Sequence, residues 1–369
     1  MDTVTLALCG DVMLGRGVDQ ILPHPSEPKL HEPHVRSALT YVELAEQANG
    51  PIPHHAGFTY VWGDALAEMR QATMRVINLE TSITTSSSYE PKGINYRMHP
   101  ENVGCLRAAG IDCCALANNH VLDWGVAGLD ETLDTLKRAG IRVAGAGLTL
   151  AQAEAPAIMD LTPGSRILVF AFGAASSGIP ETWAATPDKP GVQRLGALSA
   201  ESIARIARLV QAARRPGDIA VASIHWGPNW GYEVPGEFRD FAHALIDQAG
   251  FSLVHGHSSH HAQGIEVYRN RLILYGAGDF LNDYEGIEGY ETFRGDLTAL
   301  YLPQLSSTTG ELRALRLAPF QIRRFRLNRP SQDDLRWLCD RLDRESRQFG
   351  VRVETDTDGR LTVTWRKET

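Results

Sequence analysis

An α/β fold built of stacked layers is what this sequence predicts, and three observations predict it. Short apolar runs of strand length recur through the first two-thirds of the chain. Stretches with apolar residues at helical spacing separate them. Nearly every cluster of polar, chemistry-bearing residues stands immediately after one of the apolar runs. The third observation matters most, because open α/β sheets collect their ligands at the carboxyl ends of strands.

The elements follow in order. Val4–Leu8 runs into Cys9-Gly10-Asp11, and Arg75-Val76-Ile77 leads to Asn78-Leu79-Glu80. Asp112–Ala117 leads to Asn118-Asn119-His120 and is followed by a helix pattern from about Val126 to Ala139, stopped by Gly140. Arg166–Phe172 is rich in strand formers, and Ser199–Arg214 repeats Ile203, Ile206, Leu209 and Val210 on one helical face. Asp218–Ile224 leads to His225-Trp226-Gly227, Glu237–Gln248 is helical, and Phe251–Val254 leads to His255-Gly256-His257. Gly264–Tyr268 and Arg271–Tyr275 predict a hairpin across Arg269-Asn270. Two segments break the rhythm: residues 19–60, rich in proline and histidine, and residues 81–95 with their serine run. Both read as loops, either lids over a site or solvated excursions. Residues 1–305 read as one domain. Residues 306–369 read as an extension packed on it: a strand-like Leu312–Leu327, a helix opened by Ser331, and a hairpin across Asp358-Gly359.

Composition narrows the function classes. The 369 residues are 43% hydrophobic and 22% charged, with a net charge of −8, and no stretch supplies the basic face a nucleic-acid partner requires. No apolar run approaches a membrane span, and Met1-Asp2-Thr3-Val4-Thr5 has neither a basic n-region nor a cleavage site, so no membrane anchor or signal peptide is expected. Five cysteines without a CxxC pair fit a reduced, cytoplasmic setting. No oligomeric state follows from the sequence.

The strand-end groups are Asp11, Asn78 with Glu80, Asn119 and His120 with Asp123, His225, and His257 with His260. Carboxylate, amide oxygen and imidazole form a mixed ligand set that suits Mg²⁺, Mn²⁺, Ca²⁺ or Zn²⁺. A single histidine after a strand is ordinarily a hydrogen-bonded structural residue; five clusters in one topological position point to a site.

Gly10-Asp11-Val12-Met13-Leu14-Gly15-Arg16, Asn78-Leu79-Glu80-Thr81, Asn118-Asn119-His120-Val121-Leu122-Asp123, His225-Trp226-Gly227 and Gly256-His257-Ser258-Ser259-His260 stand in family order. Across residues 4–303 the chain resembles the CapA family, named for poly-γ-glutamate capsule synthesis, within the calcineurin-like metallophosphoesterase superfamily. The resemblance implies a two-sheet β-sandwich flanked by helices, in four αββα layers. It implies metal ligands at Asp11, Glu80, Asn119, His225, His257 and His260. Three places depart from the pattern: Met13 stands for the histidine of Asp-x-His, Glu80 for the bridging aspartate, and the last motif is Gly-His-Ser-Ser-His. A thioether is a soft ligand and does not replace imidazole for a hard cation, so one divalent metal ion is expected, with a second site weak or absent.

Acid/base groups remain. His120 pairs with Asp123 by spacing, and His260 or His261 can pair with Asp279 or Asp283. Two such pairs around a cation can remove a proton from one face of a carbon and return it on the other. The family also includes peptide epimerases. Cα epimerisation of a peptide or polyglutamate-like substrate is therefore the leading expectation, with amide-bond chemistry beside it. The alternatives are phosphoester hydrolysis and a non-catalytic role in capsule or polymer assembly. For substrate binding, Arg16 and Arg97 are candidate anion contacts or structural salt bridges. Trp226, Trp230 and Tyr232 are a candidate aromatic wall or ordinary packing.

Overall fold

The computed structural model describes residues 3–162 and 164–366; Met1 and Asp2, part of the segment read as lacking a leader, lie outside them, as do residues 163 and 367–369. Two large sheets form the centre. One has ten strands. From one edge it runs Val351–Thr355, Leu361–Trp365, Leu312–Ile322, Leu297–Ser306, Thr3–Val12, Met74–Leu79, Cys113–Ala115 and Arg142–Ala144, with the short Asp279–Leu281 also paired to Thr3–Val12 and the short Leu327–Asn328 to Leu312–Ile322. The other has seven strands, with Ser165–Ala174, Ile219–His225, Leu253–His257 and Arg271–Leu274 parallel at its centre.

Alternation along Ser165–Ala174 shows how the layers stack. Ile167, Val169 and Ala171 enter the core shared with the first sheet. Leu168, Phe170 and Phe172 enter a second core, covered by helices Ala200–Ala213 and Gly236–Asp247. A strand buried on both faces reads in sequence as an unbroken apolar run. Ala65–Met69 and Gly125–Arg138 flank the first sheet. The two-sheet, helix-flanked α/β architecture expected from the sequence is the one present.

Local sequence accounts for the ends of these elements. Ser199 accepts from the Ser202 amide, and Ser331 accepts from the Asp334 amide at 3.1 Å, each capping its helix. The hairpin Ile265–Tyr268/Arg271–Leu274 turns on Arg269 and Asn270 at φ of 49° and 57°. Two successive positive φ values are those of a primed two-residue turn. Residues 19–60 differ from the loop expectation, since they contain the helix Leu39–Asn49, which buries Tyr41, Val42 and Ala45. Its N-cap is Ala38, which offers no side-chain acceptor, so no start signal marked it. Beyond residue 305, Leu312–Ile322 and Leu361–Trp365 lengthen the first sheet, and Leu335, Leu338 and Leu342 of helix Gln332–Ser346 join its core.

Candidate metal centre

The parallel strands of both sheets end side by side, and their register sets the centre. Asp11 is opposite Asn78 on one neighbour and Asp279 on another, and His225 is opposite His257 in the second sheet. The approach of Asp279 to Asp11 depends on Gly10, where a Cβ would fall 1.7 Å from the Gly278 carbonyl oxygen. Two non-glycine residues beside the centre hold positive φ, Arg16 at 52° and Ser258 at 104°. Such strain persists where the surroundings fix it, characteristically at functional sites.

Ligand atoms of Asp11, His225 and His257 all lie within 4.8 Å of one another, and a second group, Asp11, His260 and Asp279, shares Asp11. Asn78 Nδ2 donates to Asp11 Oδ1 at 2.7 Å and to Glu80 Oε2 at 3.2 Å, and Asn118 Nδ2 donates to Asn78 Oδ1 at 3.0 Å. His225 stands between two donor groups. Its Nδ1 is 3.0 Å from His257 Nδ1, and its Nε2 is 3.1 Å from Asn119 Oδ1 and 3.9 Å from Glu80 Oε1.

The tautomer of His257 follows from the groups behind it. The Cys9 carbonyl only accepts, so His255 Nε2, 2.9 Å away, carries a proton. In the neutral ring His255 Nδ1 is then an acceptor, filled by Ser223 Oγ–H at 3.2 Å. Ser223 Oγ in turn accepts from His257 Nε2–H at 2.9 Å. This leaves His257 Nδ1 an acceptor, 3.0 Å from His225 Nδ1 and 3.6 Å from Asp11 Oδ1. Outer hydrogen bonds that fix the ring of a ligand histidine are the usual support of a metal site.

Charge completes the description. Burial, with Asp279 nearby, raises the Asp11 carboxyl to about 7, and burial with Asp11 raises Glu80 well above the carboxylate range. Burial lowers His225 and His257 well below the usual histidine value. Buried carboxyls that resist ionisation, facing neutral imidazoles with an acceptor nitrogen, are a donor set that fits a divalent cation.

Two histidine–carboxylate pairs flank this set. His120 Nδ1 is 2.7 Å from Asp123 Oδ2, and His260 Nδ1 is 2.9 Å from Asp279 Oδ1. Asp123 is shared: Lys92 Nζ meets its Oδ1 at 2.7 Å and the Tyr96 amide donates to its Oδ2 at 2.6 Å. Burial, with Lys92 opposing Asp123, lowers His120 to about 4. For His260 burial is outweighed by Asp279 and Asp11, and its pKa is raised.

The remaining sequence-predicted residues separate. Asp283 is engaged by Arg16, which it holds through two hydrogen bonds of 2.8 and 2.6 Å. Arg16 is buried, also meets Glu32 at 3.0 Å, and lies 3.6 Å from the Tyr41 ring centre, so it pins the 19–60 segment to the site's edge. Arg97 ties the two long loops together by donating to the Ser86 and Glu27 carbonyls at 3.0 Å each. Trp226 is a core residue, donating to the Tyr275 carbonyl and stacked on Phe238. Trp230 lines a cavity of about 550 Å³ together with His260 and Tyr284. Tyr232 packs edge-on against His261 behind Trp230. Met13 is buried, and its sulfur accepts from the Tyr284 hydroxyl at 3.5 Å.

Sequence reasoning did not single out Lys92, Tyr96, Tyr284, Ser223 or His255. The Tyr96 and Tyr284 hydroxyls meet at 2.8 Å; the Tyr96 ring packs on His120 and the Tyr284 ring on His260, so the phenols connect the two pairs. The only signal for His255 was its place in the dense histidine run, and Lys92 carried none.

The family described as bacterial capsule synthesis protein PGA_cap matches residues 5–284. A Mycobacterium tuberculosis protein described as a probable polyglutamine synthesis accessory protein is 48% identical over 367 residues, 98% of this chain and 96% of its own length. The PGA biosynthesis protein CapA of Bacillus subtilis is 26% identical over 284 residues, 76% of this chain and 64% of its own. Among solved structures, one described as a novel phosphatase of Mycoplasma pneumoniae aligns over 91% of this chain and 97% of that one, with a TM-score of 0.47 and 11% identity.

Proposed function

Because the chain belongs to the bacterial capsule synthesis protein PGA_cap family, we propose that it is a divalent-metal-dependent accessory enzyme of polymer synthesis, acting by acid/base chemistry on an amide-linked glutamate or glutamine chain. The relatives' descriptions, a polyglutamine synthesis accessory protein and a PGA biosynthesis protein, suggest the polymer. One observation carries the catalytic part: a cation-type donor set and two histidine–carboxylate pairs with opposite proton preferences converge at one cluster of strand ends.

In this reading Asp11, Glu80, Asn119, His225 and His257 hold the cation. When bound, it supplies Lewis-acid stabilisation of charge developing on a carbonyl oxygen. His260 keeps its proton on the strength of Asp279 and serves as the acid, its Nε2 being the ring nitrogen not turned towards Asp279. His120 is neutral, with Nδ1–H held by Asp123 and a bare Nε2 3.8 Å from Glu80, and serves as the base. Tyr284 and Tyr96 link the two rings and exclude bulk water from between them. The assignment keeps His260 in its pair and leaves one cation. No helix among the described residues is long and apolar enough to cross a membrane. The five buried free thiols support a cytoplasmic setting.

The test is incubation of metal-loaded protein with glutamine and glutamate oligomers, followed by mass spectrometry. Metal-dependent cleavage or transfer, lost in His120→Gln and His260→Gln, is expected. Deuterium gained from D₂O at one Cα without bond change would replace this reading with epimerisation. Turnover confined to a chromogenic phosphodiester would replace it with phosphoester hydrolysis. Metal binding with no turnover of any kind would make the chain a non-catalytic assembly component.

A further inference from the structure

The cavity beside His260 has a character of its own, set by what lines it. Of the seven large hydrophobic side chains exposed among the described residues, three line this one cavity: Ile94, Ile287 and Tyr290, at 40, 44 and 49% exposure. Tyr290 stacks on Trp230 with ring centres 4.3 Å apart and planes within 8°, a continuous flat apolar wall. Apolar surface gathered at one mouth marks a contact surface, where singly scattered residues would not.

Most of the charged groups lining the cavity already have partners. Arg16 is held by Asp283 and Glu32. Arg294 meets Asp296 at 2.8 Å and Asp334 at 2.7 Å. Glu285 accepts from the Arg324 and Phe325 amides and from Asn49, and Glu291 accepts from the Gly289 amide. Three arginines and three carboxylates (Glu285, Glu291, Asp296) line the space, and His260 is balanced by its partner Asp279, so it carries no excess of positive charge, within a chain of net charge −8. Among the described residues only one lining cation, Arg323, makes no ion pair. A side-chain carboxylate on every residue of a bound chain would enter this space without partners, and a desolvated, unpaired charge is costly. A repeating polyanion is recognised by an excess of cations, which the cavity lacks. A neutral amide side chain meets no such penalty: the Trp230–Tyr290 wall offers apolar surface to its methylenes, and Asn229 and Tyr284 line the same space.

We infer that this cavity receives a peptide segment with uncharged, amide-bearing side chains, and that a run of free carboxylates is excluded. Arg323 suffices for a single carboxylate, such as a chain end. The inference rests on the amide-polymer reading above and narrows it to the amidated form of the substrate.

The experiment compares two capped hexapeptides, oligoglutamine and oligoglutamate, by calorimetric titration into the full chain at low and high salt. The glutamine peptide is expected to bind at least about tenfold more tightly, with an affinity that salt changes by less than about twofold. Tyr290→Ala should weaken it by about tenfold, while Arg323→Ala leaves this capped peptide within about twofold. Tighter, salt-sensitive binding of the glutamate peptide would overturn the inference, and so would binding of neither. If the peptides bind in the stated order but neither is turned over, the inference stands and the enzymatic reading fails. If the glutamate peptide is the one turned over, the reverse holds.

Discussion

The two histidine–carboxylate pairs are built from the same groups at nearly the same distance, yet their surroundings drive them apart. Asp123 spends its charge on Lys92 and a backbone amide as well as on His120, and a buried lysine-flanked imidazole stays neutral. Asp279 accepts from Asn282 at 2.7 Å besides meeting His260, and it stands beside the Asp11 carboxyl, so the two carboxylates raise the proton affinity of the imidazole. Identical pairs are thus given different proton affinities by what else the carboxylate holds. On the proposed reading, that difference would let one pair give a proton while the other takes one.

The comparison breaks most severely if either ring is removed. His120→Gln and His260→Gln should each lower kcat on the polymer substrate by about 10² to 10⁴, with the melting temperature retained. Equal activity in either variant would remove that pair from the chemistry. Next in size, Ser223→Ala frees the His257 ring to take the wrong tautomer and should weaken cation binding by about 10- to 100-fold in chelator competition, with Ser223→Thr restoring it. Lys92→Met sharpens the comparison by making the two pairs alike. Asp123 then serves His120 more fully, the His120 pKa moves up, and the acid limb of the kcat/KM profile moves to higher pH.

Much of this arrangement was legible in the sequence, and the limits are physical. Asp11, Glu80, His120, His225, His257 and His260 announced themselves because each follows an apolar run, and strand ends in parallel register must meet. The pairings His120–Asp123 and His260–Asp279 lie three and nineteen residues apart and were within reach of spacing. Lys92 arrives from a loop with no periodic signal, and Tyr284 meets Met13 across 271 residues, contacts that only the folded chain defines. Arg16 and Asp283 each suggested a substrate or catalytic role, but 267 residues apart in sequence they neutralise one another. The helix Leu39–Asn49 was hidden by its uncapped start.

A smaller effect concerns stability in the presence of chelator. Burial depresses His120, His225, His255, His257 and His261, so below the ordinary histidine value the unfolded chain binds these protons first. Stability from this source is lost as pH falls from about 6.5 through about 4. Asp11, Glu80 and His260, raised in the fold, act with the opposite sign. His31 adds to the first set, and Asp19 and Glu285 to the second. The six lowered histidines all titrate between about pH 5 and 7 in the unfolded chain, and they predict a lower urea midpoint at pH 5 than at pH 7. An unchanged or higher midpoint would contradict this.

The protonation states themselves are the most direct measurement. Nitrogen-15 NMR of histidine-labelled protein at pH 7 should show His260 with both ring nitrogens protonated and His120 neutral, carrying its proton on Nδ1. Finding both rings in the same state would contradict the division of labour between the two pairs.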